Sequence, residues 1–326
     1  MKKQLEELQQ LLGGRGRFDE PLARYTTFKV GGPADLFFEA RTKEDLLLSV
    51  GGARKLGIPV FLLGGGSNIL IGDRGIRGLV VKNLTQQIVI RGMKGSSGPD
   101  KASRIVFVEA DAGVPINKLV RFTLDEGLSG LEMHLGLPGS VGGAVYMNSK
   151  WTKPEGYIGD AVYQVTLVGA DGTPRVEPQS YFRFAYDSSI LQQTHDIVVS
   201  VVFALKQQDK TALWAIADAS IGYRRETQPQ GVFSAGCTFR NISHAEALAA
   251  GTPNYVTSAG FLVDHAGLKG EQIGDAQISP VHANFIINKG KATASDVVKL
   301  IDLAKDRVEE RFGIKLTEEI QRVGEF

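Results

Sequence analysis

Apolar residues recur at helical spacing at the start of the chain, where Leu5, Leu8, Leu11 and Leu12 share one side of an otherwise polar segment. A second helix is predicted after Thr42, which stands three residues before Asp45 as an N-cap does. It runs towards Leu56, is stopped by Gly57 and cannot be extended by Pro59. The apolar run 60–63 predicts a buried strand leading into Gly64-Gly65-Gly66-Ser67-Asn68, so this first stretch reads as a βαβ-like unit with a glycine turn at its end.

From about residue 85 the pattern shifts towards strands. Residues 105–110 alternate, and Pro115 suits the first turn of a helix ending at Gly127. Residues 162–168 and Val176 flank Asp171-Gly172, a hairpin signal. Residues 197–205 predict another strand, and the polar, glycine- and serine-rich stretch 91–104 predicts a mobile hairpin tip. After about 209 the clearest element is a helix over 295–312, where Val297, Leu300, Ile301, Ala304, Val308 and Phe312 make one stripe before Gly313. The expected organisation is α+β in three parts, 1–84, 85–208 and 209–326, with no internal repeat.

Composition narrows the function classes. Lys plus Arg number 37 and Asp plus Glu 36, so the net charge of +1 gives no electrostatic reason to expect nucleic acid or an anionic membrane. No apolar run approaches the ~18 residues of a membrane span, and the N-terminus lacks the apolar core of a signal peptide. The single cysteine, Cys237, excludes an internal disulfide and fits a reducing cytoplasm. The five histidines make no HExxH or facial-triad spacing, so no metal is expected.

The 39 glycines in 326 residues exceed the usual ~7% and are clustered. In Gly64-Gly65-Gly66-Ser67-Asn68, successive backbone N–H groups can curl around an anion, and a diphosphate is the natural guest. The dinucleotide pattern GxGxxG fails at Ile69, and the only Gly-Lys pair, Gly290-Lys291, is followed by Ala292 rather than by the hydroxyl residue of a phosphate loop. A tight turn explains either cluster taken alone. A second cluster, Leu137-Pro138-Gly139-Ser140-Val141-Gly142-Gly143, favours a long cofactor with a central pyrophosphate, although spacing does not name it. Gly64, Gly65, Gly66, Ser67, Asn68, Pro138, Gly139, Ser140, Gly142 and Gly143 are the candidate cofactor residues.

The segments TTFKVGGPADLF (26–37), LGGGSNILI (63–71), GLPGSVGGAVYMN (136–148), SAGCTFRN (234–241), AGFLVDHAGLKG (259–270), ISPVHANFIINKGKATASDVVKLI (278–301) and FGIKLTEEIQRVG (312–324), in this order, resemble the UDP-N-acetylenolpyruvoylglucosamine reductases. The resemblance spans nearly the whole chain. It implies the vanillyl-alcohol-oxidase-like flavoprotein fold: a two-part FAD-binding region plus a C-terminal α/β substrate-binding domain. It further implies tightly bound FAD, NADPH as co-substrate and a UDP-sugar substrate. The implied protein is a cytoplasmic monomer making UDP-N-acetylmuramate for peptidoglycan.

The same resemblance implies roles. Cys237 stands where the family usually has a proton-donating serine, and a thiol with pKa near ~8.5 is a competent acid; the bland alternative is a small buried hydrophobe. Glu319, rather than Glu318, aligns with the catalytic glutamate, which stabilises or protonates an enolate from a buried site of raised pKa; the alternative is a solvated surface carboxylate, the expectation for Glu318. The family arginine that clamps the substrate carboxylate, in F-x-Y-R-x-S, is here Asp187, so another cation is required. Arg183 is the first candidate, with Arg224, Arg225, Lys150 and Lys153 as alternatives. A second departure is 149–154, SKWTKP, in place of a small-residue stretch. Arg225, Arg240 and Asn241 are the expected substrate-binding residues, and His282 is expected to be structural. A flavoprotein of the same fold with another substrate, or a non-catalytic paralogue, are the rival readings.

Overall fold

The computed structural model describes residues 1–95, 104–152, 155–169 and 172–326. The tip of the 91–104 hairpin, Lys153, and Asp171 of the Asp171-Gly172 turn lie outside the described residues. Two compact units emerge, each built from separated stretches: Met1–Arg17, Leu36–Gly65 and Gly78–Arg224 in the first, Phe18–Asp35, Gly66–Arg77 and Arg225–Phe326 in the second. Boundaries near 84 and 208 do not coincide with this division, because the chain crosses between the units after Arg17, Asp35, Gly65, Arg77 and Arg224.

In the first unit an antiparallel sheet runs in the order Pro174–Pro178, Val162–Val168, Ile197–Gln207, Ile105–Asp111, Ile88–Lys94, with Leu128–Ser129 pairing beside the end of Ile197–Gln207. Residues 197–203 are buried without interruption, the signature of a central strand covered on both faces. Val201, Phe203 and Leu205 pack with residues of the helices Ile116–Asp125 and Val141–Met147. Ile197 and Val199 pack with Leu5, Leu8 and Leu12 and with Leu46 and Val50 of the helix Lys43–Lys55. Leu11 of the N-terminal stripe stays exposed. The Thr42 cap forms as its sequence dictates: its hydroxyl accepts the Asp45 N–H at 3.0 Å, and Gly57 beyond the helix has φ +66°. The strand Val60–Leu63 is mostly half-buried rather than buried, because it pairs on one side only, in parallel with Ile76–Asn83.

In the second unit the helix Ala294–Phe312 buries Val297, Leu300, Ile301, Ala304 and Val308 against the helix Ala259–His265 and a small antiparallel sheet of Gln272–Ile273, Ala276–Ile278 and Ile286–Asn288. Thr293 caps it, and Asp73 accepts the Ala294 and Ser295 N–H groups at 2.7 and 2.9 Å, placing negative charge at the positive end of the helix. Gly313, at φ +68°, ends it. The strands Ile69–Ile71 and Gln321–Val323 form a parallel pair that returns the C-terminal stretch to the residues just after the first glycine cluster. Mixed helix and strand, segregated along the chain, make the class α+β.

One charged cluster ties the first unit's sheet to its helix. Glu109 takes Arg91 Nε at 2.6 Å and Lys43 Nζ at 3.1 Å, and Lys43 also reaches Asp111 at 3.0 Å. Burial alone would raise the Glu109 pKa. The hydrogen bonds from Arg91, Ser200 and Lys43 outweigh it and pull the carboxyl down to about 2 from 4.5. A depressed carboxyl pKa contributes stability that is present above the unfolded value and lost as pH falls through the folded one. Glu109→Gln should therefore flatten the loss of stability between pH 4.5 and about 2. Urea midpoints of both proteins at about pH 6 and about pH 3 check this; equal acid sensitivity would contradict it.

Candidate active site

The two glycine clusters meet in the first unit. A Cβ on Gly64 would lie 2.3 Å from Ser140 Oγ, and one on Gly65 would lie 2.5 Å from Gly139 Cα. No side chain fits at either position, so backbone faces backbone. Gly139 has φ +113°, and its carbonyl accepts the Ile116 N–H at 3.1 Å, pinning the second cluster to the adjacent helix. Lys82 donates to the Gly64 carbonyl. Gly142 contributes differently: its N–H is taken by the Ala112 carbonyl at 2.8 Å, and its missing side chain admits Ala112. Gly143 has ordinary space, with Ser140 Oγ 3.6 Å from a built Cβ, and Pro138 is exposed. A cradle that excludes side chains and presents bare backbone is what close approach of a diphosphate requires, so these residues fit a dinucleotide.

The second unit holds the rest of the first cluster and the chemistry-bearing residues. Gly66 has φ +66°, and a Cβ there would lie 2.4 Å from the Tyr25 carbonyl. Thr27 donates its N–H to the Gly66 carbonyl at 3.0 Å and its hydroxyl to the Ser234 carbonyl at 2.7 Å, joining the glycine turn to the start of the Cys237 segment. The Asn68 carbonyl accepts the Gln321 N–H at 2.9 Å, while the Asn68 amide donates to the Glu319 carbonyl at 3.2 Å. The Glu319 N–H in turn donates to the Thr238 carbonyl at 2.8 Å, and Arg240 N–H to the Thr317 carbonyl at 2.9 Å. Cys237 pairs across a β-bridge with Phe285, and Thr238 N–H donates to the Asn284 carbonyl at 2.7 Å. Glu319 is thus bonded through its backbone to Thr238, the residue after Cys237, and the Cys237 and Glu319 residues are both half-buried.

The backbone also separates the two glutamates. Phe239 bridges Glu318, and successive side chains of extended backbone point to opposite sides. Glu318 is no solvated carboxylate: Lys305 Nζ lies 2.5 Å away and Arg322 donates at 2.7 and 2.8 Å. Burial opposes its ionisation, but the bonds from Arg322 and Lys305 outweigh it and hold its pKa below the ordinary carboxylate value. Glu318 is therefore engaged in structure, while Glu319 is the residue bonded, through its backbone, to both Asn68 and Thr238.

Other expected residues sit as follows. Arg225 is exposed and Arg240 half-buried. Asn241 is exposed and its amide oxygen accepts the Ala259 N–H at 3.1 Å, so it also caps a helix. Arg183 is exposed, in left-handed backbone at φ +46°. Asp187 is buried at φ +48°. In the substituted 149–154 segment, Trp151 is 4% exposed, with the Arg224 guanidinium 3.9 Å above its ring and Tyr223 edge-on at 5.9 Å. Burial, then the nearby Arg224 charge, holds buried His134 down to about 4, so it is neutral at physiological pH. His282 is half-buried and its Nδ1 accepts the Asn284 N–H at 3.2 Å, a structural histidine as expected. Sequence reasoning assigned no role to Thr27 or Asn284. Asn284 is buried and exchanges two 2.8 Å hydrogen bonds with the Phe239 backbone. Its position within the HANF run was the available signal. Among the described residues there is no cluster of His, Cys, Asp and Glu that could hold a metal, and no helix long and apolar enough to cross a membrane.

The glycine cradle of the first unit lies in residues 34–176, which match a family described as "FAD binding domain", and the chain is of the class of FAD-dependent oxidoreductases. Residues 228–323 match "UDP-N-acetylenolpyruvoylglucosamine reductase, C-terminal domain". The chain belongs to the UDP-N-acetylenolpyruvoylglucosamine reductase family. It is 39% identical to the reductase of that name from Desulfosudis oleivorans, over 95% of each chain, and 36% identical to that of Halalkalibacterium halodurans over the full length of both. The crystal structure of the Thermus caldophilus reductase superposes with a TM-score of 0.73 at 33% identity, covering 94% of this chain and 98% of that one.

Two outcomes follow from this geometry. Gly65→Ala must push the chain off Gly139, so the purified variant should lose its visible flavin absorbance; a fully yellow protein would contradict the cradle. Asn284→Ala leaves the Phe239 N–H and carbonyl without their buried partner and should cost about 2–4 kcal/mol of stability, read from urea unfolding.

Proposed function

We propose that this chain reduces UDP-N-acetylglucosamine enolpyruvate to UDP-N-acetylmuramate, with NADPH as the electron source, in peptidoglycan precursor synthesis. FAD, once reduced by NADPH, would supply a hydride to the methylene carbon of the enolpyruvyl double bond. Negative charge then grows on the substrate carboxylate as an enolate, and the neighbouring carbon needs a proton. Cys237 donates that proton, a thiol being a stronger acid than the hydroxyl of serine. Glu319 steadies the enolate. Gly64, Gly65, Gly66, Ser67, Asn68, Gly139 and Ser140 hold the diphosphate, Gly142 and Gly143 keep the second turn slim, and Arg225, Arg240 and Asn241 receive the UDP-sugar. The observation that supports this reading is the Glu319 N–H to Thr238 carbonyl bond at 2.8 Å, which pairs the backbone of the Glu319 stretch with that of the Cys237 stretch.

A second reading, a flavoprotein acting on a different substrate, is motivated by Asp187 and the 149–154 segment. It predicts that the enolpyruvyl UDP-sugar fails to bind. For the first reading, Cys237→Ala should slow substrate-driven flavin reoxidation and product formation by about 10²–10⁴ in anaerobic stopped flow, with Cys237→Ser recovering part of the rate. Normal rates in Cys237→Ala would remove the proton-donor assignment.

A further inference from the structure

We infer that Glu318 is a positioning residue for Glu319: its carboxylate occupies Lys305, which would otherwise draw the neighbouring Glu319 into that ion pair and pull the strand out of register. For its effect on rate the inference rests on the reaction proposed above. Glu318 and Glu319 carry the same side chain at adjacent positions, and the lysine on the helix Ala294–Phe312 is paired with the first of them. A carboxyl that steadies an enolate must not become a lysine's counter-ion, because the ammonium would hold it ionised and an ionised carboxylate repels the growing negative charge.

The Glu318 side chain is 17% exposed, so its pairs are only partly screened by water. Lys305 Nζ lies 2.5 Å from its Oε1. Arg322 donates from Nε to Oε2 at 2.7 Å and from Nη2 to Oε1 at 2.8 Å, a two-pronged contact that fixes the plane of the carboxylate. Arg322 has a second acid, Asp302 at 3.6 Å, whereas among the described residues Lys305 has no other acid partner. Loss of the Glu318 charge therefore leaves Lys305 seeking a carboxylate, and the next residue along the chain supplies one. The backbone around them is paired closely: Arg240 N–H donates to the Thr317 carbonyl at 2.9 Å, Phe239 bridges Glu318, and Glu319 N–H donates to the Thr238 carbonyl at 2.8 Å. A shift of one residue would bring Glu319 to the place that Glu318 now holds.

Plain anchoring of the C-terminal stretch is the rival explanation. Backbone bonds already supply it: Gln321 N–H donates to the Asn68 carbonyl, Gly72 N–H to the Val323 carbonyl and Glu325 N–H to the Gly75 carbonyl, each at 2.9 Å. Bonds of this kind do not by themselves distinguish Glu318 from Glu319. The Arg322 fork does, because it closes on the residue four positions before it and presents that carboxylate to Lys305.

The test uses full-length holoprotein and two readouts. In the first, the flavin is photoreduced under argon, the protein is mixed with UDP-N-acetylglucosamine enolpyruvate, and return of the visible flavin band is followed. Glu318→Gln should slow reoxidation about tenfold, and adding Lys305→Met to it should restore most of the rate, because the competing cation is gone. A merely structural clamp makes the double variant at least as slow as the single one. In the second, carbon-13 NMR of the glutamate carboxyls, with Glu319 assigned from Glu319→Gln, should show the Glu319 carboxyl titrating at lower pH in Glu318→Gln than in wild type and returning in the double variant. Should Glu318→Gln not fold, Glu318→Asp, with its shorter reach to Lys305, takes its place in both comparisons. The inference is overturned if the single variant matches wild type in both readouts, or if Lys305→Met restores neither. If wild-type reduced flavin is not reoxidised by the UDP-sugar, the proposed reaction fails, and the NMR titration still decides whether Glu318 keeps Lys305 from Glu319.

Discussion

Backbone pairing of the C-terminal stretch is the constraint on which the candidate chemistry rests. Gln321 donates to Asn68, Glu319 to Thr238 and Arg240 to Thr317, so three segments far apart in sequence become neighbours in one unit. Each such bond contributes only about 1 kcal/mol net, but together they fix a register. A slip by one residue would exchange Glu318 for Glu319, turning the carboxylate held by Lys305 and Arg322 towards the position that now carries Glu319. The two ion pairs on Glu318 therefore help hold the register that leaves Glu319 outside them.

The glycine cradle imposes a complementary constraint of size. Gly64 and Gly65 are held so close to Ser140 and Gly139 that even a methyl group collides. The cost of glycine's extra unfolded-state entropy is accepted where backbone must lie against backbone, leaving the N–H groups as the only functional groups the loop can offer. The same logic separates Gly142, whose N–H is already bonded to Ala112, from the residues of the first turn. A glycine-rich motif thus contains glycines that differ in whether their N–H is already bonded within the chain, and only geometry sorts them.

Much of this was legible in the sequence. The Thr42 and Gly57 boundaries, the 297–308 stripe and the alternation at 105–110 are local signals, and the structure follows them. The ordered motifs announced the family. What stayed hidden was non-local. Nothing in the order of residues says that Asn284 grips Phe239, that Thr27 ties Gly66 to Ser234, or that the chain's two units interleave in sequence. Glu318 was expected in solvent because that is the default for a glutamate, and its two cations arrive from Lys305 and from Arg322 on the returning strand. The half-burial of Val60–Leu63 likewise reflects pairing on one side, which an apolar run cannot reveal.

One departure from the family pattern is physically coherent: Trp151, an intruder where small residues are usual, is accommodated by stacking on Arg224. The central claim is that this scaffold binds FAD and passes electrons through it to an enolpyruvyl UDP-sugar. The most direct measurement is the visible spectrum of the purified protein, titrated under argon first with NADPH and then with that UDP-sugar. The account predicts a flavin band that NADPH bleaches and the UDP-sugar restores. A protein that remains colourless after incubation with FAD, or a bleached flavin that the UDP-sugar leaves bleached, would contradict it.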